Sequence, residues 1–154
     1  METGFVLPDL ESEDSAEFWA GCARGELLVQ ACGRCGRWRF PPRPMCPHCQ
    51  SLDVEWVRVS GRARVWSFVV AHPPLLPAYA ELAPYNVIVV ALEEDERIRM
   101  VGNLVEAPDG AINAVDPASI EVGEPVRVVF ARVEDVTLPR WVRDRADEKP
   151  GPGG

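Results

Sequence analysis

The sequence predicts a mainly β fold: a short N-terminal helix, a small four-cysteine ribbon, then a five-stranded barrel of Greek-key type. Three observations carry this expectation. Two C-x-x-C pairs, Cys32-Gly-Arg-Cys35 and Cys46-Pro-His-Cys49, stand ten residues apart in the first third of the chain. Beyond them, strand-length runs of alternating or wholly apolar residues are separated by Gly, Pro and acidic turns, with no convincing helix among them. The 154 residues, 47% hydrophobic, can build one medium domain or a small domain with an appended metal module.

Residues 1–12 are acidic and uneven and read as a mobile lead-in or docking arm. Asp14-x-x-Glu17 has the form of a capping box, which starts a helix near Asp14. Phe18, Trp19 and Cys22 give that helix an apolar stripe, and Gly21 and Gly25 limit it to about three turns. Leu27–Val29 is a short strand into the first cysteine pair and Arg37–Phe40 leaves it. Pro41-Pro42-Arg43-Pro44 then forces an extended turn into the second pair. Strands are expected at 54–59, 62–71, 87–92, 98–105 and 126–133, with a short last one at 138–142. On 62–71 the alternation places Arg62, Arg64, Trp66 and Phe68 on one face and Ala63, Val65, Ser67 and Val69 on the other. The turn Glu93–Glu96 reads as solvated. The expected organisation is an arm and helix at 1–26, the ribbon at 27–53, the barrel at 54–143 and a flexible, charged, then Pro/Gly-rich tail at 144–154.

Each C-x-x-C turns tightly enough to aim both sulfurs at one point, and two such knuckles complete a tetrahedral S₄ site of Cys32, Cys35, Cys46 and Cys49. Gly33 and Gly36 supply freedom to the first knuckle and Pro47 stiffens the second. Structural Zn²⁺ is the expected metal, with iron the nearest rival because S₄ ligation suits both. Four thiolates leave no open coordination position, so the metal holds structure. Disulfides suit a secreted protein, and Met1–Leu10 lacks the charged and apolar regions of a signal peptide. Cys22 reads as a buried apolar residue, and His48 as an exposed neighbour of the site.

The formal net charge of −8 argues against a general nucleic-acid binder. Its distribution is uneven: residues 22–64 carry eight Arg against three acids, leaving +5 there and −13 elsewhere. A basic module on an acidic body suits an anionic ligand or partner. The segment from His72-Pro73-Pro74 through Leu75, Leu76, Pro77 and Tyr79 to Pro84-Tyr85 is too apolar for a merely solvated loop, and reads as a docking surface. No G-x-S-x-G, P-loop or G-x-G-x-x-G occurs, and His72 has no nucleophile at a useful spacing, so no catalytic set is expected. No apolar run is long enough to span a bilayer, and a cytoplasmic location is expected. The alternative reading is a single-stranded nucleic-acid binder, with Trp66 and Phe68 beside Arg62 and Arg64 as a stacking strip.

The order of features is more specific than any one of them. Phe18-Trp19 is followed by Gly25-Glu26-Leu27, the C-x-x-C-G knuckle, Phe40-Pro41-Pro42-Arg43, C-P-x-C and Glu55-Trp56. Then come Ser60-Gly61-Arg62, Pro84-Tyr85, Gly102-Asn103-Leu104, Gly123-x-Pro125-Val126 and Leu138-Pro139-Arg140. Over residues 14–143 this resembles the acyl-CoA-associated OB-fold proteins with a rubredoxin-like zinc ribbon, the domain-of-unknown-function family 35. Arg62-Ala63-Arg64 departs from the glycine common after the Ser-Gly-x turn. The resemblance implies a non-catalytic accessory module that docks a thiolase-fold acyl-CoA enzyme, an aldolase or thiolase, in a 2:2 assembly. In the steroid side-chain aldolases such a module stands behind or beside a hot-dog-fold hydratase, and it shapes the path of the CoA thioester. The expected ligand or partner contacts are Arg37, Trp38, Arg39 and Arg43, with phosphates meeting the arginines. The expected docking loop is Leu75, Leu76, Tyr79 and Tyr85. The chain is either a free-standing subunit or a domain cut from a longer fusion.

Overall fold

The computed structural model describes residues 4–145. The flexible tail expected at 144–154 lies outside these residues from 146 onward. Helix α1 (Ala16–Ala23) opens the fold, and strands β1 (Leu27–Cys32), β2 (Trp38–Arg39) and β3 (Val54–Val59) follow. Then come β4 (Arg62–Ala71), a four-residue helix α2 (Pro77–Ala80), β5 (Tyr85–Leu92), β6 (Arg99–Gly102), β7 (Pro125–Val133) and β8 (Val136–Arg143). The strands form two sheets, ordered β2-β1-β3 and β6-β5-β4-β7-β8. All paired strands are antiparallel. The larger sheet curls until Leu104, just past β6, bridges in parallel to Trp141 of β8, so the five strands nearly close a barrel.

The capping box is not made. Ser15 stands at the helix N-cap with no side-chain bond, and Glu17 instead pairs with Arg24 at 3.3 Å. Strand 54–59 has the expected bounds but pairs with β1 along its whole length, from Leu27↔Val59 to Cys32↔Val54, and so belongs to the ribbon's sheet. Ser60-Gly61 then carries the chain into the barrel. Gly61 has φ +83°, and a Cβ there would collide with Val128.

The face assignment on β4 holds only halfway. Val65 pairs with Val90 and Ser67 with Val89, so Trp66 is the extra residue of a bulge and the alternation inverts beyond it. Phe68 therefore packs on the core, while Val69 is 61% exposed. The expected strand 98–105 stops at Gly102 because Asn86 captures the next residues. The buried Asn86 side chain donates to the Leu104 carbonyl at 2.9 Å and accepts from its N–H at 2.7 Å, replacing a strand ladder. Strand β8 is longer than expected and is joined to β7 by a tight turn at Glu134, φ 57°.

One core joins the parts. Phe18 and Cys22 of α1 and Leu27, Val29 and Val59 of the ribbon sheet pack with Val65, Ile88, Val90, Leu104 and Trp141 of the barrel. A second, smaller cluster lies under the 72–85 loop: Tyr85, Val105, Ile112, Val129 and Val142, covered by Leu75, Tyr79 and Leu82. The first described residues pack against the loop. The Phe5 ring sits 4.9 Å from that of Tyr79, whose hydroxyl accepts from the Val6 N–H at 3.1 Å.

Candidate metal centre and binding surfaces

The two knuckles bring together the four expected cysteines, with all four Sγ atoms within 4.8 Å of one another. Cys32 and Cys49 approach to 3.5 Å and Cys35 and Cys46 to 3.7 Å. In a tetrahedral site with Zn–S near ~2.3 Å the sulfurs stand about 3.8 Å apart, so a zinc ion fits this cage. The knuckles are near copies. Gly36 donates to the Cys32 carbonyl at 2.9 Å and Gln50 to the Cys46 carbonyl at 3.0 Å, and both adopt positive φ, 75° and 59°. Gly36 thus does what the sequence predicts, whereas Gly33 is required for another reason: a Cβ there would stand 2.9 Å from Asp53 Cβ. The second knuckle relies on Gln50 for its left-handed residue, a role ordinarily glycine's and so unmarked in the sequence.

Backbone donors prepare the sulfurs for a cation. The N–H of Cys35 and, secondarily, that of Arg34 hold the Cys32 thiol down at about 6 against the effect of burial. The N–H groups of Cys49 and His48 lower Cys46 in the same way. At Cys49 the Ser51 N–H lowers the thiol, but burial and the neighbouring thiols outweigh it and push it up to about 11. A dication at the centre takes all four as thiolates. Cys22 stands apart, buried in the core, and burial pushes its thiol up to about 12. His48 is exposed and accepts from Arg37 Nη1 at 2.7 Å, outside the metal set.

Arg37, Trp38, Arg39 and Arg43 do share one cleft, of about 280 Å³, at the seam between ribbon and barrel. They are not equally available. Arg37 and Arg43 are exposed and Trp38 is half-buried. Arg39 is only 7% exposed; its Nε donates to Gln30 Oε1 at 2.8 Å and its Nη2 to the Arg43 carbonyl at 3.0 Å. The cleft gains a residue that sequence reasoning missed, Arg97, brought in by the β5–β6 turn. That turn is exposed, as expected, and its carboxylates tie it to the join between β3 and β4: Glu93 binds Arg62 at 2.6 Å, and Glu94 accepts from the N–H and the hydroxyl of Ser60.

Of the four loop residues, Tyr85 is buried, Leu75 and Tyr79 pack on the second cluster, and Leu76 alone stays open, at 55%. A further apolar surface lies on the outer face of the barrel. Val69 pairs with Val87, Ser67 with Val89, and Val89 with Val101, and directly paired residues share a face. Val69 and Val101 are 61% and 67% exposed, and Val87 and Val89 are half-covered. The wholly apolar run 87–92 was the available signal, since an unbroken apolar strand is one covered on both faces. The stacking strip is not assembled. Phe68 turns inward, Arg62 is tied to Glu93, Arg64 donates to the Gly123 carbonyl, and Trp66 carries the Arg99 guanidinium 3.8 Å over its ring.

Comparison with known proteins agrees with this architecture. Residues 19–55 match the family model described as the rubredoxin-like zinc ribbon domain of ChsH2, which covers all four cysteines and supports structural zinc. Residues 56–131 match that of the ChsH2 C-terminal OB-fold domain. The chain is 34% identical to a DUF35 domain-containing scaffold protein of Methanothermobacter thermautotrophicus, over 73% of this chain and 77% of that one. It is 35% identical to the 3-oxo-4,17-pregnadiene-20-carboxyl-CoA hydratase alpha subunit of Mycobacterium tuberculosis over 94% of this chain, but spans only 42% of that subunit. About two fifths of the length of the hydratase-type relatives is thus represented. Among solved structures, a chain of the Ltp2-ChsH2(DUF35) aldolase superposes with a TM-score of 0.73 at 34% identity, covering 88% of this chain and 98% of that one. The S₄ ribbon, the nearly closed barrel and these likenesses coincide: the chain belongs to the DUF35 family, as a ChsH2-type zinc ribbon followed by an OB-fold barrel.

Proposed function

We propose that this chain is a non-catalytic accessory module that docks a thiolase-fold acyl-CoA enzyme, of the aldolase or thiolase kind, and helps position its CoA thioester. The observation that carries the docking is the outer face of β4, β5 and β6. Val69, Val87, Val89 and Val101 form an apolar stripe that the chain itself covers only in part, and Leu76 is likewise exposed. Surfaces of this kind mark protein interfaces. The superposition with an Ltp2-ChsH2(DUF35) aldolase chain supports an enzyme of that type as the occupant. Thiolase-fold enzymes are commonly dimers, which makes a 2:2 assembly the reading to test. A hot-dog-fold hydratase is a further candidate partner, on the strength of the hydratase-named relatives.

A non-catalytic role rests on the chemistry of the centre. Four sulfurs leave zinc no position for substrate or activated water. His48 is engaged by Arg37 and His72 lies exposed on the loop. Free thiols at a zinc site suit a reducing compartment, and the reading includes the cytoplasm. Co-expression with thiolase-fold enzymes of the same genome, and with the Ltp2 aldolase for comparison, tests the proposal. Stable co-elution is expected, with no turnover of acyl-CoA by this chain alone. Robust aldolase, thiolase or hydratase activity from the isolated chain, or no complex with any such enzyme, contradicts it.

A further inference from the structure

The cleft between ribbon and barrel has a charge imbalance that the fold does not resolve. Arg37, Arg39, Arg43 and Arg97 line it with a single carboxylate, Asp95. That carboxylate is committed to Arg97, which grips it through Nε and Nη2 at 2.9 Å each. Among the described residues no carboxylate lies within 4.0 Å of Arg37, Arg39 or Arg43. Arg39 is the anomaly. It is 93% buried, taken as the complement of its 7% exposure, yet it is held only by neutral oxygens, those of Gln30 and Arg43. Its Nη1 is buried with no hydrogen-bond partner. A buried guanidinium without a counter-ion is costly, and an unsatisfied donor adds to the cost. Gln30 makes this placement deliberate: its Oε1 accepts both from Arg39 Nε and from the Arg43 N–H, at 2.8 Å each, so one amide fixes the two arginines together.

We infer that this seam is a phosphate-binding site. Arg39 is its electrostatic floor, and Arg37, Arg43 and Arg97 are the groups that reach the anion. Planar guanidinium forks match phosphate oxygens, and no neutral ligand supplies the charge that Arg39 lacks. At about 280 Å³ the cleft is smaller than a drug-sized pocket, so it takes a phosphate or diphosphate group rather than a whole cofactor. The half-buried Trp38 ring lines the same cleft. Arg37, Arg39 and Arg43 come from the ribbon and Arg97 from the barrel's β5–β6 turn, so a bound anion also ties ribbon to barrel. The inference deepens the proposed role, on which it rests for its ligand: the anion assigned is the phosphate end of a CoA thioester, and free phosphate is the other source of the same chemistry.

The test titrates the zinc-loaded full chain at low salt with coenzyme A, with inorganic phosphate and with pantetheine, which carries no phosphate. Coenzyme A binding that weakens with added salt, and none with pantetheine, is expected. Arg43→Gln and Arg97→Gln, both at exposed side chains, are each expected to weaken coenzyme A roughly tenfold or more, as for a lost charge-assisted bond. Arg58→Gln removes the same charge from β3, outside the cleft, and is expected to change affinity little. Arg39→Gln is informative where its zinc content stays normal, and Arg43 and Arg97 carry the test where it does not. No binding of coenzyme A or phosphate at millimolar concentration overturns the site, as does equal weakening by Arg58→Gln. Inorganic phosphate binding as tightly as coenzyme A supports the anion site and overturns the thioester as its source. An acidic peptide that binds there unopposed by phosphate overturns the phosphate assignment. Co-elution with the partner enzyme without phosphate binding defeats this inference alone; phosphate binding without co-elution defeats the docking proposal alone.

Discussion

Asn86 does with one side chain what a strand pair does elsewhere. Both polar atoms of its amide bind the backbone of Leu104, and its own carbonyl accepts from Asn103 Nδ2 at 2.6 Å. This pins the segment whose next contacts, Trp141 N–H to Asn103 and Val105 N–H to Trp141, close the barrel. Asn86→Ala leaves a buried N–H and a buried carbonyl without partners, and denaturant unfolding should show a loss of about 3 kcal/mol or more. A loss near zero would mean that barrel closure does not depend on this amide. Asn86 was not legible in the sequence because one polar residue beside an apolar run reads as the end of a strand. The cysteines were legible because C-x-x-C spacing encodes the geometry directly. Their accounting is also testable. The zinc-loaded chain should yield no rapidly reacting thiol, and chelation should release four. Cys22 should react only on unfolding, since a thiol at about 12 leaves roughly one part in ten thousand as thiolate at pH 8. A fifth thiol reactive in the native chain would contradict its burial.

At the scale of elements, the strands were readable where alternation was unbroken and misread where a backbone irregularity intervened. On β4 the bulge at Trp66 inverts the faces, and periodicity contains no term for an inserted residue. The same inversion turns Val69 to the outer side of the sheet, while the tyrosines of the 72–85 loop fold inward. The join between β3 and β4 depends on Gly61. Gly61→Ala meets both a positive φ and the Val128 side chain, and a loss of about 2 kcal/mol or more is expected in thermal or denaturant unfolding. A neutral result would show that this turn relaxes freely. Removal of zinc should melt the ribbon sheet first. Because Leu27, Val29 and Val59 also belong to the core shared with the barrel, the barrel's midpoint should fall by several degrees with it. An unchanged midpoint after chelation would separate the two parts energetically.

At the scale of the whole molecule, the chain is a basic ribbon braced on an acidic barrel, with a closed metal site, an arginine-lined seam and an apolar outer face. Two of these surfaces could meet a partner enzyme, and they answer to different perturbations. Docking through the ribbon would weaken with salt and with Arg37→Glu, whereas docking through the outer barrel face would respond little to either. Val69 and Leu76 have most of their surface open, so Val69→Asp together with Leu76→Asp alters the proposed interface with little cost to folding. The decisive measurement is co-elution of this double variant with the thiolase-fold enzyme in size-exclusion chromatography, with zinc content and thermal midpoint recorded for the free chain. The account predicts that the partner is lost while zinc and midpoint stay at their unsubstituted values; a variant that still co-elutes would contradict it.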